Sequence, residues 1–151
     1  MKTLYNIIIH FYVISIYISS LFNAKSKQWV RGRKNIFTSI EKAINNHKNI
    51  VWFHCASLGE YEQGKPIIEA YKIKHPTRKI LLTFFSPSGF EIRKNTPLAD
   101  FTFYLPSDTK SNVRRFINIV KPIKVVFIKY EFWFNYMTEL KKQNIPFYSV
   151  S

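Results

Sequence analysis

Cysteine occurs once in this chain, at Cys55. That excludes a disulfide framework and a thiolate zinc cluster within its 151 residues. A lone thiol fits a reducing compartment. Glycine is also scarce, at four residues, which excludes a collagen-like or glycine-rich linker protein. Acid is in short supply. Nine Asp and Glu stand against 23 Lys and Arg, a formal net charge of +14. No acidic residue precedes Glu41. There is no internal repeat and no low-complexity tract. What the chain does have is apolar: 46% hydrophobic and 17% aromatic residues, too many for a disordered chain. The length holds one domain of ordinary size, or part of a larger one.

The positive excess calls for an anionic partner: nucleic acid, phosphorylated lipid or a membrane surface. The basic pairs Arg93-Lys94, Arg114-Arg115 and Lys141-Lys142 read as solvated helix faces. No recognition helix, finger or stacking motif for nucleic acid is present. An apolar N-terminal segment beside a basic stretch favours anionic membrane lipid.

That segment, Leu4 to Phe22, is 19 residues long, with Asn6, His10, Ser15, Ser19 and Ser20 as its polar members. At ~1.5 Å per residue it approaches the ~30 Å of a bilayer core. Lys25, Lys27, Arg31, Arg33 and Lys34 follow it. The positive-inside rule then keeps the polypeptide after the run in the cytoplasm. Bulky Phe22 before Asn23-Ala24 makes a poor signal-peptide cleavage site. The expectation is an uncleaved membrane anchor over residues 1–24, spanning or lying in the interface, and a basic linker over 25–34.

The remainder alternates between two patterns. Apolar runs at 50–54, 79–84, 101–104, 124–128 and 146–149 read as strands. Between them, 35–46, 60–74, 87–94, 109–120 and 132–143 read as helices. Val113, Phe116 and Val120 make one helical stripe, and Phe132, Tyr136 and Leu140 another. Asp108 is the expected N-cap of the 109–120 helix. Pro66 is expected to kink its helix or delay its start. Strand, helix, strand, helix with short loops and fully apolar strands predicts a parallel, Rossmann-like α/β domain over 35–151.

Ligands of open parallel sheets sit beyond the carboxyl ends of the strands. After the first strand, Ser57 and Glu60 have capping-box spacing. Glu60 either bonds back to the Ser57 amide or serves as a cleft carboxylate able to take a proton from a hydroxyl. Gly59 leaves the backbone open to a ligand. His54 reads as a structural hydrogen bonder and Cys55 as a small buried residue. After the second strand, Ser86 is a good N-cap with Pro87 at the first helical position. The amides and hydroxyls there, with Ser88 and Gly89, form either an anion site or simply a well-capped helix. No phosphate-cradling or dinucleotide fingerprint occurs. After the fourth strand, Glu131 is either a simple salt-bridge or helix-start carboxylate, or a second carboxylate facing the same cleft as Glu60.

Several separated stretches converge on one family: Gly32-Arg33, WFHCASLGE at 52–60, Pro66, LLTFFSPSG at 81–89, YLPSD at 104–108, VRRF at 113–116, KYEFWFN at 129–135 and IPFYSVS at 145–151. In order and spacing the chain resembles the N-terminal domain of the Kdo (3-deoxy-D-manno-octulosonic acid) transferases of lipopolysaccharide synthesis. The resemblance implies a GT-B fold, two Rossmann-like domains around a cleft, of which the C-terminal donor domain is missing here. It implies inverting, metal-independent transfer of Kdo from CMP-Kdo to a lipid A precursor (lipid IVA) at the inner membrane, on its cytoplasmic face. No cofactor is implied beyond that donor.

Carried over, Glu60 is the general base and Glu131 the second cleft carboxylate. Ser57, Gly59, Ser86, Ser88 and Gly89 line the cleft. Arg31, Arg33 and Lys34 are candidates for the lipid A phosphates. Lys129 and Phe134 depart from the family pattern. Without a donor domain the segment alone is not expected to catalyse transfer. The competing expectations are a non-catalytic, membrane-anchored module for anionic lipid, and a GT-B glycosyltransferase with another acceptor.

Overall fold

The computed structural model describes residues 2–129 and 131–151. Tyr130, within the KYEFWFN stretch, and Met1, at the start of the expected anchor, lie outside the described residues. Five parallel strands form one sheet: β1 (Ile50–Cys55), β2 (Lys79–Phe84), β3 (Phe101–Tyr104), β4 (Lys124–Ile128) and β5 (Phe147–Val150). Their order is β3-β2-β1-β4-β5. β1 pairs with both β2 and β4, with Trp52 opposite Leu81 on one side and Val125 on the other. The connection reverses direction here, so β1 and β4 flank a topological switch point, where open α/β sheets form a crevice.

Helices α4 (Leu58–Lys74) and α5 (Pro87–Arg93) follow β1 and β2. Tyr61 and Ile68 of α4 pack there with Val51, Phe53, Ile80, Leu82, Val126 and Ile128. Helices α3 (Ile36–Ile44), α6 (Lys110–Val120) and α7 (Phe134–Lys142) join the other core with Trp52, Leu81, Val125 and Phe127. Alternate β1 residues thus serve opposite cores, as the period of two requires. All six β1 residues are buried, which is why this strand reads as a continuous apolar run rather than an alternating one.

The α/β architecture with a parallel sheet matches the sequence reading, and strand positions agree to within one residue. Four local features differ. The expected basic linker is partly helical: α2 (Ala24–Gly32) starts at Asn23, whose side chain accepts from the Lys25 and Ser26 amides. Buried Trp29 anchors it. Helix α4 starts at Leu58, so Pro66, exposed within it, does not delay the start. Asp108 does not cap α6. Thr109 does, accepting from the Asn112 amide at 3.4 Å. Phe132 precedes α7 and is exposed, so only Tyr136 and Leu140 of that stripe reach the core.

Helix α1 (Lys2–Ser19) lies against this domain. Tyr5 and Asn6 hydrogen-bond to Asp108 and Asn135, and Tyr12 stacks on Phe85. Leu4, Ile7, Ile8, Phe11, Ile14 and Ile18 face outward and are exposed. Among the described residues no single helix is long and apolar enough to cross a membrane. Only α1 and α2 together pass on length and composition, and they are bent by 118°.

Gly64 lets α4 approach β4 closely, since a Cβ there would meet Ile128 Cγ1 at 2.8 Å. Overpacking of ~1–3 kcal/mol exceeds the ~1 kcal/mol gained in helix propensity. Urea denaturation of Gly64→Ala should therefore show a lower midpoint at unchanged slope.

Candidate active site

Two carboxyl groups meet above the switch point. Glu60 comes from the first turn of α4, after β1. Its Oε2 accepts from the Ser57 amide at 3.0 Å. The capping-box spacing therefore does hold the side chain, and it holds it over the strand ends. Glu131 follows β4. The chain leaves that strand through Lys129 in the left-handed region, φ 64°, a costly conformation for a residue with a side chain. It is pinned there by hydrogen bonds. The Lys129 amide donates to Val150 O at 2.7 Å, and its carbonyl accepts from Ser149 Oγ at 2.7 Å. The Glu131 carboxyl lies close enough to Glu60 to feel its charge.

Burial first and the nearby Glu60 second raise the Glu131 pKa to about 7, against a lowering contribution from Trp133. Two facing carboxylates repel, so one keeps its proton. Here the raised pKa is that of Glu131.

His54 sits directly beneath and is fully buried. Its tautomer follows from its neighbours. Trp133 Nε1–H, 3.2 Å from His54 Nε2, can only donate, so Nε2 accepts. Nδ1 then carries the hydrogen, which it gives to Thr83, whose carbonyl lies at 3.1 Å and whose Oγ1 lies at 2.9 Å. Thr83 Oγ1 also accepts from Trp52 Nε1 at 2.7 Å. Burial lowers the His54 pKa to about 3. Its 3.9 Å approach to Glu131 Oε2 is therefore not an ion pair. The ring is a neutral strut that fixes Trp133. Cys55 is buried beside it, and burial with the two glutamate charges pushes its thiol up, so it is no nucleophile.

Not all the residues singled out in the sequence share this site. Ser57 and Gly59 do. Gly59 is exposed and a Cβ there would meet only Ser57 Oγ at 4.0 Å, so this glycine leaves the approach to Glu60 open. The β2 end lies next to it, with the Ser86 amide donating to Ala56 O at 2.8 Å. Ser86 Oγ accepts from the Ser88 amide and its hydroxyl bonds that of Ser88. Gly89 is buried and packs instead: its Cβ would meet Phe84 Cδ1 at 2.5 Å and the Leu58 amide at 3.1 Å.

Arg31 and Lys34 are exposed on and after α2. Arg33 turns inward. Its guanidinium stacks 3.7 Å over Trp29 and donates to Leu105 O, Trp29 O and Phe85 O. It joins α2 to the ends of β2 and β3 and holds the cleft floor together rather than presenting its charge to a phosphate. Among the described residues no group of three or more His, Cys, Asp or Glu is placed to hold a metal ion.

Trp133 has a packing role and a polar one. The structure gives it both jobs, since its ring lies 4.8 Å from Phe85 while its N–H faces His54.

A family model described as 3-deoxy-D-manno-octulosonic-acid transferase (kdotransferase) matches residues 30–151. The chain is similar to the 3-deoxy-D-manno-octulosonic acid transferase of Aquifex aeolicus, 34% identical over 94 residues, covering 62% of this chain and 26% of that protein. The enzyme of the same name from Haemophilus influenzae is 35% identical over 99 residues, 64% of this chain and 23% of the relative. A probable mitochondrial 3-deoxy-D-manno-octulosonic acid transferase of Arabidopsis thaliana is 30% identical over 105 residues, 69% of this chain and 24% of the relative. The chain spans about a quarter of the length of these curated relatives.

The raised Glu131 pKa makes a stability prediction. A carboxyl whose folded pKa exceeds its unfolded value stabilises fully below the unfolded value and loses that contribution as pH rises through the folded one. Between pH ~4.5 and ~7 Glu131 should therefore erode stability. Glu131→Gln should flatten the melting-temperature profile in this window and raise the melting temperature at pH 8. A wild-type profile rising across that window, with no gain in the variant, contradicts the assignment.

Proposed function

The chain belongs to the 3-deoxy-D-manno-octulosonic-acid transferase family, as part of its N-terminal domain, and on that premise we propose that it forms the acceptor side of a glycosyltransferase acting in lipopolysaccharide synthesis. The reaction is transfer of Kdo from CMP-Kdo to lipid IVA, in a GT-B enzyme whose donor half lies outside the residues of this chain. The observation that carries this reading is the paired carboxyls at the switch point. A binding module for anionic lipid has no use for an acid pair in its cleft, whereas a hydroxyl nucleophile needs a base.

An alcohol is a poor nucleophile near neutral pH, so its proton must leave as its oxygen attacks. We assign this role to Glu60, the carboxylate of the first turn of α4. The acceptor oxygen forms a bond to the anomeric carbon of Kdo, the bond to the CMP phosphate breaks, and CMP departs with the electron pair. Attack from the face opposite the leaving group inverts that carbon. The proton of the hydroxyl goes to Glu60. The Ser57 amide holds the Glu60 carboxylate in place, and Glu131, with its pKa raised to about 7, is the second carboxyl of the cleft. The residues assigned here perform this step without a metal. Ser57 and Gly59 border the approach, and the Ser86 and Ser88 hydroxyls lie at the neighbouring strand end.

The same proposal places the chain on the cytoplasmic face of the inner membrane. Helix α1 lies along the interface rather than across the bilayer, supported by its outward apolar face and by Leu21 and Phe22, which are 76% and 88% exposed. Arg31 and Lys34 remain candidates for phosphate groups at that surface.

Two measurements test these readings. In a chimera carrying residues 30–151 in place of the matching segment of the Haemophilus influenzae relative, labelled Kdo should pass to lipid IVA. Glu60→Gln should cut the rate by at least ~100-fold with lipid binding intact. Equal rates would sink the base assignment. In flotation with anionic phospholipid vesicles, Phe11→Asp and Phe22→Asp together should weaken partitioning by roughly tenfold or more. Unaltered flotation would remove α1 from the interface.

A further inference from the structure

The first amides of any α-helix lack intrahelical partners. Helix α7 has an unusual answer to this. Its N-cap residue is Trp133, which offers no side-chain cap. The first intrahelical bond runs from the Met137 amide to Trp133 O at 2.9 Å. The three amides before it all go elsewhere. Phe134 donates to Tyr5 Oη at 3.4 Å, Asn135 to Asp108 Oδ2 at 3.2 Å and Tyr136 to Asp108 Oδ1 at 3.1 Å. Tyr5 Oη–H in turn donates to Asp108 Oδ2 at 2.5 Å. The Asn135 side chain closes the knot, donating to Asp108 O at 2.6 Å and Asn6 Oδ1 at 3.0 Å. The cap of α7 is therefore built from two other elements: the β3–α6 loop and the N-terminal helix α1.

What this cap holds is the turn that carries Glu131. Only residues 131–133 separate Lys129 and Tyr130 from α7. One end of the turn is fixed by the Lys129 hydrogen bonds to β5. The other end is the first turn of α7, and Trp133 at its start is tied to His54. If the first turn frays, the α7 end of the turn loses the three Asp108 and Tyr5 bonds that fix its first amides. Carboxylate caps at helix N-termini also gain from the helix dipole, and Asp108 is 1% exposed, so its geometry is not shared with solvent.

We propose that Asp108 and Tyr5 are positioning residues for Glu131, and that helix α1 is a structural part of the cleft because it completes the cap of α7. Seating α1 and setting the second cleft carboxyl are then one event. The inference rests on the reading of Glu131 as a cleft carboxyl, and its test requires no transfer. The titratable groups facing Glu131 are Glu60 from α4 and His54 from β1, with Cys55 behind them on β1. Those facing Asp108 are Tyr5 from α1 and Tyr136 from α7.

The experiment uses the whole chain, labelled with glutamate carrying 13C at the side-chain carboxyl, together with amide hydrogen exchange. Tyr5→Phe removes one hydroxyl and keeps the ring that packs on Phe134. Amides 134–136 should then exchange roughly fivefold faster or more, with β1, β2 and β4 amides unchanged. The Glu131 carboxyl, with a midpoint of about 7 in the parent, should move toward the ordinary carboxylate range as it separates from Glu60. Asp108→Asn, which keeps one acceptor oxygen, should move both readouts the same way. Ser15→Ala, on the same helix but remote from the cap, should move neither. Unchanged protection at 134–136 in Tyr5→Phe overturns the proposal. So does a Glu131 midpoint that stays in place while the cap is lost, or one that shifts equally in Ser15→Ala.

Discussion

Two carboxyl groups brought to one cleft repel each other when both are ionised, and the site is arranged around that constraint. Glu60 is fixed by a local motif, the capping box at the start of α4. Glu131 is fixed by tertiary structure: a left-handed residue after β4, a neutral histidine under an indole, and a helix capped from outside. One acid is positioned cheaply and the other at the expense of a strained backbone position and several buried polar groups. Strain and burial of this kind gather at functional sites.

The sheet explains why the pair can exist. β1 and β4 are neighbours that lead into helices on opposite faces, so the segments after them diverge and leave a crevice with a carboxyl on each lip. The buried polar column below, Trp52 to Thr83 to His54 to Trp133, is satisfied at each link. Satisfied buried networks make one geometry unique, because any other arrangement leaves a polar group unpaired. Arg33 does the same for the loops after β2 and β3, spending its donors on their carbonyls.

The parts legible in the sequence are those that local patterns encode. Five apolar runs gave five strands. The S-x-x-E spacing gave Glu60 its place, and Ser86-Pro87 gave α5 its start. The misread parts depend on partners distant in sequence. Asp108 sits where an α6 cap belongs, but Thr109 takes that role and frees the carboxylate for α7, 27 residues away. Arg33 looked like a surface cation in a basic stretch. The local signals against that were Asn23, a strong helix cap, and Trp29 four residues before Arg33, the spacing at which side chains on a helix meet. The apolar run of residues 4–22 was read by length, while its folding back on the domain is set by Tyr5, Asn6 and Tyr12, whose partners no spacing reveals. Glu131 is legible as a cleft acid, but its raised pKa comes from burial and from Glu60, both of which only the fold supplies.

The central claim is that burial and the nearby Glu60 raise the Glu131 pKa to about 7, so that a substantial share of Glu131 is protonated at neutral pH. Infrared spectroscopy of the chain at pH 7 measures this directly, through the carbonyl stretch of a protonated carboxyl group. The account expects such a band in the parent protein and its loss in Glu131→Gln. Its absence from the parent at pH 7, or its persistence unchanged in Glu131→Gln, would contradict the account.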